Sequence, residues 1–358
     1  MPISAAYRRL AGPLLILGLI LAACAMPGAT RAPVEGVHFR MVKTNGVTLR
    51  VAEAGKGPLV VLVHGWPESW YSWRHQIPAL AAAGYHVIAP DMRGYGGSDR
   101  PPAVEDYDID HLSGDIVGLL DAFGEKRAVL IGHDWGAIVT WNTVLLHPDR
   151  FSAMIAMSVP NGGRAAGPPL AAMRAANGDN FYYILYHQEP GVAEKEYDAD
   201  PRGLLSRLYA SNDTPRDPPT VVDPKRSAGG WIPRLGAPKQ LPAWLTQADL
   251  DYFVGQFEHA GFRGGVNYYR NFDRNWQITP QLSGARIKVP VAFIAGEDDI
   301  VIRGAKAPAL RATMSRVADD LREVKLVPGA GHWVQQEKPE DVNAFILDFL
   351  AKLPAKTP

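Results

Sequence analysis

The residues best suited to chemistry form the pentad Gly132-His133-Asp134-Trp135-Gly136, which follows the apolar run Ala128–Ile131 and precedes a helical pattern. A small-x-acid-x-small turn between strand and helix pushes its central side chain out of the sheet's carboxyl edge, and its glycines remove side chains that would clash. Most such elbows carry Ser, but no Gly-x-Ser-x-Gly occurs in the chain, and its one cysteine, Cys24, lies far away near the N-terminus. A carboxylate at 134 is ionised near neutral pH and needs no base to activate it. It suits displacement at a saturated carbon, which leaves an alkyl ester of its own side chain. Water must then attack the ester carbonyl, and that step needs a histidine base, an acid to orient it and an oxyanion hole. Asp299, in Gly296-Glu297-Asp298-Asp299, and His332, in Pro328-Gly329-Ala330-Gly331-His332-Trp333, supply acid and base in that chain order; Glu297 and Asp298 compete with Asp299. The oxyanion donors are expected at the backbone N–H groups of Trp66, in His64-Gly65-Trp66-Pro67, and of Trp135.

These groups need a scaffold, and the rest of the chain alternates strands and helices. Strand-like runs fall at His38–Lys43, Val47–Ala52, Leu59–Val63, His86–Pro90, Ala128–Ile131, Phe151–Met157, Val289–Ile294 and Lys325–Val327. Asn45-Gly46 predicts a hairpin between the first two. Helical patterns fall at Trp70–Ala83, around Leu112–Phe123, at Gly136–Leu146, and after Pro339, where Val342, Phe345, Ile346, Phe349 and Leu350 share one face. Asp299 and His332 then sit beyond strand ends, where open α/β sheets build their sites. Residues 161–280 break the rhythm with amphipathic stretches such as Phe181–Tyr186 and Leu250–Phe257, separated by a Pro-rich segment. The pattern predicts an α/β fold with a mostly parallel sheet flanked by helices and an inserted helical cap. Its boundaries are 36–160 for the first part of the core, 161–280 for the cap and 281–354 for the second part of the core.

Arg8-Arg9 followed by the apolar run Leu10–Leu21 reads as a signal peptide over residues 1–23, too short for a stable membrane span. Leu21-Ala22-Ala23-Cys24 resembles a bacterial lipobox, with Cys24 as the lipidated residue; ordinary cleavage after Ala23-Cys24-Ala25 is the alternative. Residues 24–35 then form a tether. This predicts an exported protein held to a bacterial membrane by a lipid anchor. Ala25 is not the acidic residue of inner-membrane retention, which favours the outer membrane.

The 358 residues carry 37 Lys plus Arg against 37 Asp plus Glu, so no basic face for nucleic acid is expected. One cysteine excludes an intrachain disulfide and a thiolate cluster, and the ten histidines show no metal-ligand spacing. Asp106-x-Asp108-x-Asp110 has the opening spacing of a calcium loop, but His111 and Val117 replace the Gly and Glu it needs, so it reads as a helix start.

His64-Gly65-Trp66-Pro67, Asp91-Met92-Arg93-Gly94-Tyr95-Gly96-Gly97-Ser98 and the Asp134 pentad resemble the epoxide hydrolases of the α/β-hydrolase fold, from about residue 36 to 353. The resemblance is most specific in the cap, at Leu185-Tyr186-His187-Gln188-Glu189-Pro190-Gly191-Val192-Ala193-Glu194 and at Gly261-Phe262-Arg263-Gly264-Gly265-Val266-Asn267-Tyr268-Tyr269-Arg270-Asn271. It implies that Tyr186 and Tyr269 are paired phenols that hydrogen-bond and protonate the departing alkoxide. It also implies a small apolar epoxide and water as reactants, with no cofactor and no metal. His187 departs from the aromatic hydrocarbon side chain that relatives often carry, and residues 212–243 hold no family motif. A haloalkane dehalogenase would share Asp134, Trp135 and the histidine. Halide leaves without a proton, however, and the phenol pair favours the epoxide. A non-catalytic lipoprotein binding an apolar ligand would be expected to show a broken triad.

Overall fold

The computed structural model describes Met1 and residues 34–354; Cys24 and the apolar run before it lie outside the described residues. Eight strands are formed: β1 (His38–Thr44), β2 (Val47–Ala54), β3 (Leu59–Val63), β4 (His86–Pro90), β5 (Ala128–His133), β6 (Phe151–Met157), β7 (Ile287–Gly296) and β8 (Ala318–Val327). They make one sheet in the order β1-β2-β4-β3-β5-β6-β7-β8. The first two pairings, β1 with β2 and β2 with β4, are antiparallel, and the rest are parallel. Asn45 and Gly46, at φ 43° and 79°, turn the β1–β2 hairpin as their types predict.

Every residue of β3 (Leu-Val-Val-Leu-Val) and of β5 is buried, as parallel strands covered by helices on both faces require. From β3 the chain crosses first to β4 on one side and later to β5 on the other. The carboxyl ends of β3 and β5 therefore flank a topological switch point, where such sheets open a crevice. The His64–Pro67 turn leaves β3 there and Asp134 leaves β5.

Seven helices lie between β6 and β7: Pro169–Asn177, Tyr183–Tyr186, Val192–Ala199, Pro201–Tyr209, Gln247–Ala260, Arg263–Arg270 and Phe272–Ile278. They rest on the loops beyond the sheet's carboxyl edge. Tyr268 donates to the Arg93 carbonyl at 3.0 Å, Tyr209 donates to the Pro67 carbonyl, and Gly264 packs backbone to backbone on Gly94.

Two elements differ from expectation. The stretch Trp70–Ala83 splits into a 3-10 turn, Trp70–Trp73, and a helix, Gln76–Ala82. Pro78 has no N–H to donate to an earlier turn, so it is accommodated only in the first turn of a new helix. Strand β8 starts at Ala318 rather than Lys325. Its charged residues Asp319, Asp320, Arg322 and Glu323 suit an edge strand with β7 as its one partner. The acidic triplet is a helix start: Asp108 caps Ile109–Ala122 and accepts the His111 N–H at 3.0 Å.

Candidate active site

Asp134 has φ 52° and ψ −119°, a backbone region that L residues rarely occupy. The turn closes because its neighbours lack side chains. A Cβ on Gly136 would stand 2.0 Å from the Val63 carbonyl oxygen, and one on Gly65 would stand 2.4 Å from Asp134 Cβ. The two turns thus nest. The Trp66 N–H donates to Asp134 Oδ1 at 2.8 Å, and the Trp66-Pro67 peptide bond is cis. Trp135 opens the helix Trp135–Leu146 immediately beside the carboxylate; among the described residues, no hydrogen bond joins its backbone N–H to Asp134.

His332, beyond β8, places Nε2 3.5 Å from Asp134 Oδ2 and Nδ1 3.0 Å from Asp299 Oδ1. Of the three acids after β7, Asp299 is the buried one that faces the ring, whereas Glu297 pairs with Lys306 in solvent. Burial alone would pull the His332 pKa down, but Asp299 and Asp134 outweigh it and hold the imidazolium well above the ordinary histidine range. Burial would likewise push Asp299 up, and the charge of His332 together with hydrogen bonds from His332, Val301 N–H and Ser158 keeps it below its usual value.

A second acid and histidine lie underneath, and sequence reasoning missed the acid. Glu68 and His133 are both fully buried, with His133 Nδ1 2.9 Å from Glu68 Oε2 and His133 Nε2 2.7 Å from the His332 carbonyl oxygen. Both ring nitrogens of His133 thus face oxygen atoms. Glu68 also accepts the Gly65 N–H at 2.6 Å and the Gln335 amide at 2.9 Å. Burial pushes Glu68 up, yet His133, then His64 and the Gly65 N–H, hold it at about 2. The only trace in the sequence was an acid directly after the His-Gly-Trp-Pro turn, a type almost never buried without a partner.

Tyr269 is buried on helix Arg263–Arg270 and sets its ring edge-on to the Trp135 indole with centroids 5.1 Å apart. Its phenolic neighbour is Tyr183, whose ring stands edge-on to that of Tyr269 with centroids 5.8 Å apart. Burial first, then the Asp134 carboxylate for Tyr183, and Tyr183 with Asp134 for Tyr269, raise both phenols above the ordinary tyrosine range. Tyr186 does not join them, which corrects the sequence reading. Its hydroxyl donates to Glu196 Oε2 at 2.9 Å, its ring packs on Phe181, and Glu196 rather than Asp134 shifts it upward after burial. Tyr183 and Tyr186 begin and end the short helix Tyr183–Tyr186, and their contacts part them: Tyr183 meets Tyr269 and Trp231, whereas Tyr186 meets Phe181 and Glu196.

No group of three or more His, Cys, Asp or Glu side chains among the described residues is arranged to hold a metal ion.

Residues 58–339 match the model of the alpha/beta hydrolase fold family. The chain is 51% identical over 325 residues to epoxide hydrolase A of Mycobacterium tuberculosis, covering 90% of this chain and 98% of that one. It is 41% identical over 322 residues to epoxide hydrolase 2 of Siraitia grosvenorii, covering 89% of this chain and 99% of that one. Among solved structures, epoxide hydrolase A from Mycobacterium thermoresistibile superposes with a TM-score of 0.81 at 49% identity, over 89% of this chain and all of that one. Nested turns, a carboxylate at the elbow and close relatives over nearly the whole chain agree: this protein belongs to the epoxide hydrolases of the alpha/beta hydrolase fold family.

Proposed function

We propose that this chain hydrolyses epoxides to vicinal diols through an ester on Asp134. Oδ2 attacks an epoxide carbon while Oδ1 stays on the Trp66 N–H, and the carbon–oxygen bond breaks as Tyr183 and Tyr269 deliver a proton to the departing oxygen. The products of this step are a hydroxy ester and a phenolate. Esterification removes one of the two negative charges that hold His332 protonated. The His332 proton can then restore the phenol and leave a neutral base. His332 next takes a proton from water, and the hydroxide attacks the Asp134 carbonyl carbon. Negative charge develops on Oδ1, between the Trp66 N–H and the N–H of Trp135. Collapse expels the diol oxygen, which takes the proton from His332; Asp134 is left as the acid and passes its proton to the neutral His332, which restores both the carboxylate and the imidazolium.

The observation that carries this reading is the pair of phenols Tyr183 and Tyr269, ring centroids 5.8 Å apart and both raised by the charge of Asp134. It also separates the reaction from halide displacement, since halide leaves without a proton and needs no phenol pair. Offering the purified protein an aryl epoxide and a chloroalkane tests it. Diol without chloride is expected, and chloride without diol would overturn it.

We further propose that the chain is exported and anchored through a diacylated Cys24, on the strength of the Arg8-Arg9, apolar-run and Leu21–Cys24 pattern. Among the described residues no helix is long and apolar enough to cross a membrane. Mass spectrometry of the native N-terminus tests the anchor: a lipidated Cys24 is expected, and an unmodified chain starting at Met26 would overturn it.

A further inference from the structure

The Pro-rich stretch 212–243 delivers one side chain to the site. Glu196, on helix Val192–Ala199, accepts the backbone N–H groups of Trp231 and Ile232, each at 2.9 Å, and the Tyr186 hydroxyl at 2.9 Å. Three donors converge on one carboxylate, and the loop is shaped to reach it. Gly229 has φ 147°, and a Cβ on Gly230 would lie 2.2 Å from Glu196 Oε1. The clamp fixes the Trp231 indole nearly parallel to the Tyr183 ring (centroids 4.6 Å apart, 15° between planes) and to the Trp66 indole (5.7 Å, 8°). Tyr183 serves the epoxide oxygen and the Trp66 backbone holds the oxyanion, so Trp231 stands flat against both residues that handle the reacting atoms. His187 stands edge-on to it at 5.9 Å and edge-on to Tyr269 at 4.6 Å.

We infer that Trp231 is a specificity-determining residue, a clamped aromatic wall that favours epoxides with a planar aryl substituent over those branched next to the ring. A flat π-substituent can lie along a surface of parallel rings and gain stacking. A tetrahedral carbon bearing three methyl groups is wide in every direction and has to displace the wall. The inference rests on the reading of Asp134 and Tyr183 as the reacting pair and names the substrate class of that site.

The test uses the full chain and two probes, styrene oxide and tert-butyloxirane, with kcat and KM measured for each. In Trp231→Ala the preference for styrene oxide in kcat/KM should fall by about tenfold or more, through a higher KM for styrene oxide and a gain on the branched probe. Trp231→Phe, which keeps a flat ring, should hold the preference within about threefold of wild type. Glu196→Ala, which releases the clamp, should shift it in the same direction as Trp231→Ala. An equal loss on both probes, as from a purely structural role, or an unchanged preference would overturn the inference while leaving the reaction standing. Absence of diol from the wild-type chain on both probes would overturn the reaction itself and the inference with it.

Discussion

The Trp66 N–H lies 2.8 Å from Asp134 Oδ1, so in the proposed reaction the donor that would stabilise the oxyanion already holds the carboxylate's own oxygen. The carboxylate is pre-aimed, and the donor that serves the second step orients the first. Asp134→Asn keeps an oxygen for that N–H and loses the nucleophile. Turnover should fall by at least about 10³-fold, with the thermal midpoint little changed. Diol formation alongside calorimetry checks this, and retained turnover would remove Asp134 from the mechanism.

The phenols give a contrast within one helical turn. Tyr183→Phe and Tyr269→Phe should each lower the rate of ester formation by about 10²-fold, as loss of a positioned proton donor does. Tyr186→Phe touches only the Glu196 clamp and should cost far less. Pre-steady-state quenching of the intrinsic tryptophans during ring opening reads the step directly; a larger loss in Tyr186→Phe than in Tyr183→Phe would restore the assignment made from sequence.

His332 should titrate well above an ordinary histidine in the free protein, because Asp299 and Asp134 overcome the cost of burial. Removing one charge by Asp134→Asn should lower that pKa, which NMR of the labelled imidazole measures. The linkage sign follows. A raised folded pKa contributes stability that is fully present below the unfolded value of about 6.5 and is lost as pH rises through the folded pKa. The stability lost in Asp299→Asn should therefore be largest just below pH 6.5, roughly, and shrink in alkaline solution. The opposite trend would contradict the ion pair.

Glu68 runs the other way. Held at about 2 by His133, His64 and the Gly65 N–H, it contributes stability that is present above its unfolded pKa and lost as pH falls toward its folded one. Glu68→Gln should cost on the order of 3 kcal/mol near neutral pH, since it also takes the carboxylate from the buried His133, and the gap from wild type should narrow below about pH 4. Urea unfolding at several pH values checks this; a pH-independent gap would show that packing rather than charge is lost.

Much of the scaffold was legible because it is written in local pattern. The all-apolar runs of β3 and β5 and the Asn45-Gly46 turn admit few other readings, and Asp134 is exposed by the glycines around it. Tyr186 was misplaced because a motif fixes a segment but not the rotation of a four-residue helix, which is set by Glu196, Trp231 and Trp66 from elsewhere in the chain. Glu68 was missed for a related reason: its partners His133 and Gln335 lie 65 and 267 residues away, and no local spacing announces such a pair. The charged half of β8 hid a strand behind a surface composition that an edge permits.

The unusual main chain at Asp134 carries a consequence for protein engineering. A residue held at φ 52° and ψ −119° costs on the order of 1–3 kcal/mol, and glycine would relieve it. The sturdiest version of this molecule is therefore an inert one. Selection for heat tolerance alone, without a demand for turnover, would drift toward glycine at position 134, while β-branched residues would be barred from it altogether.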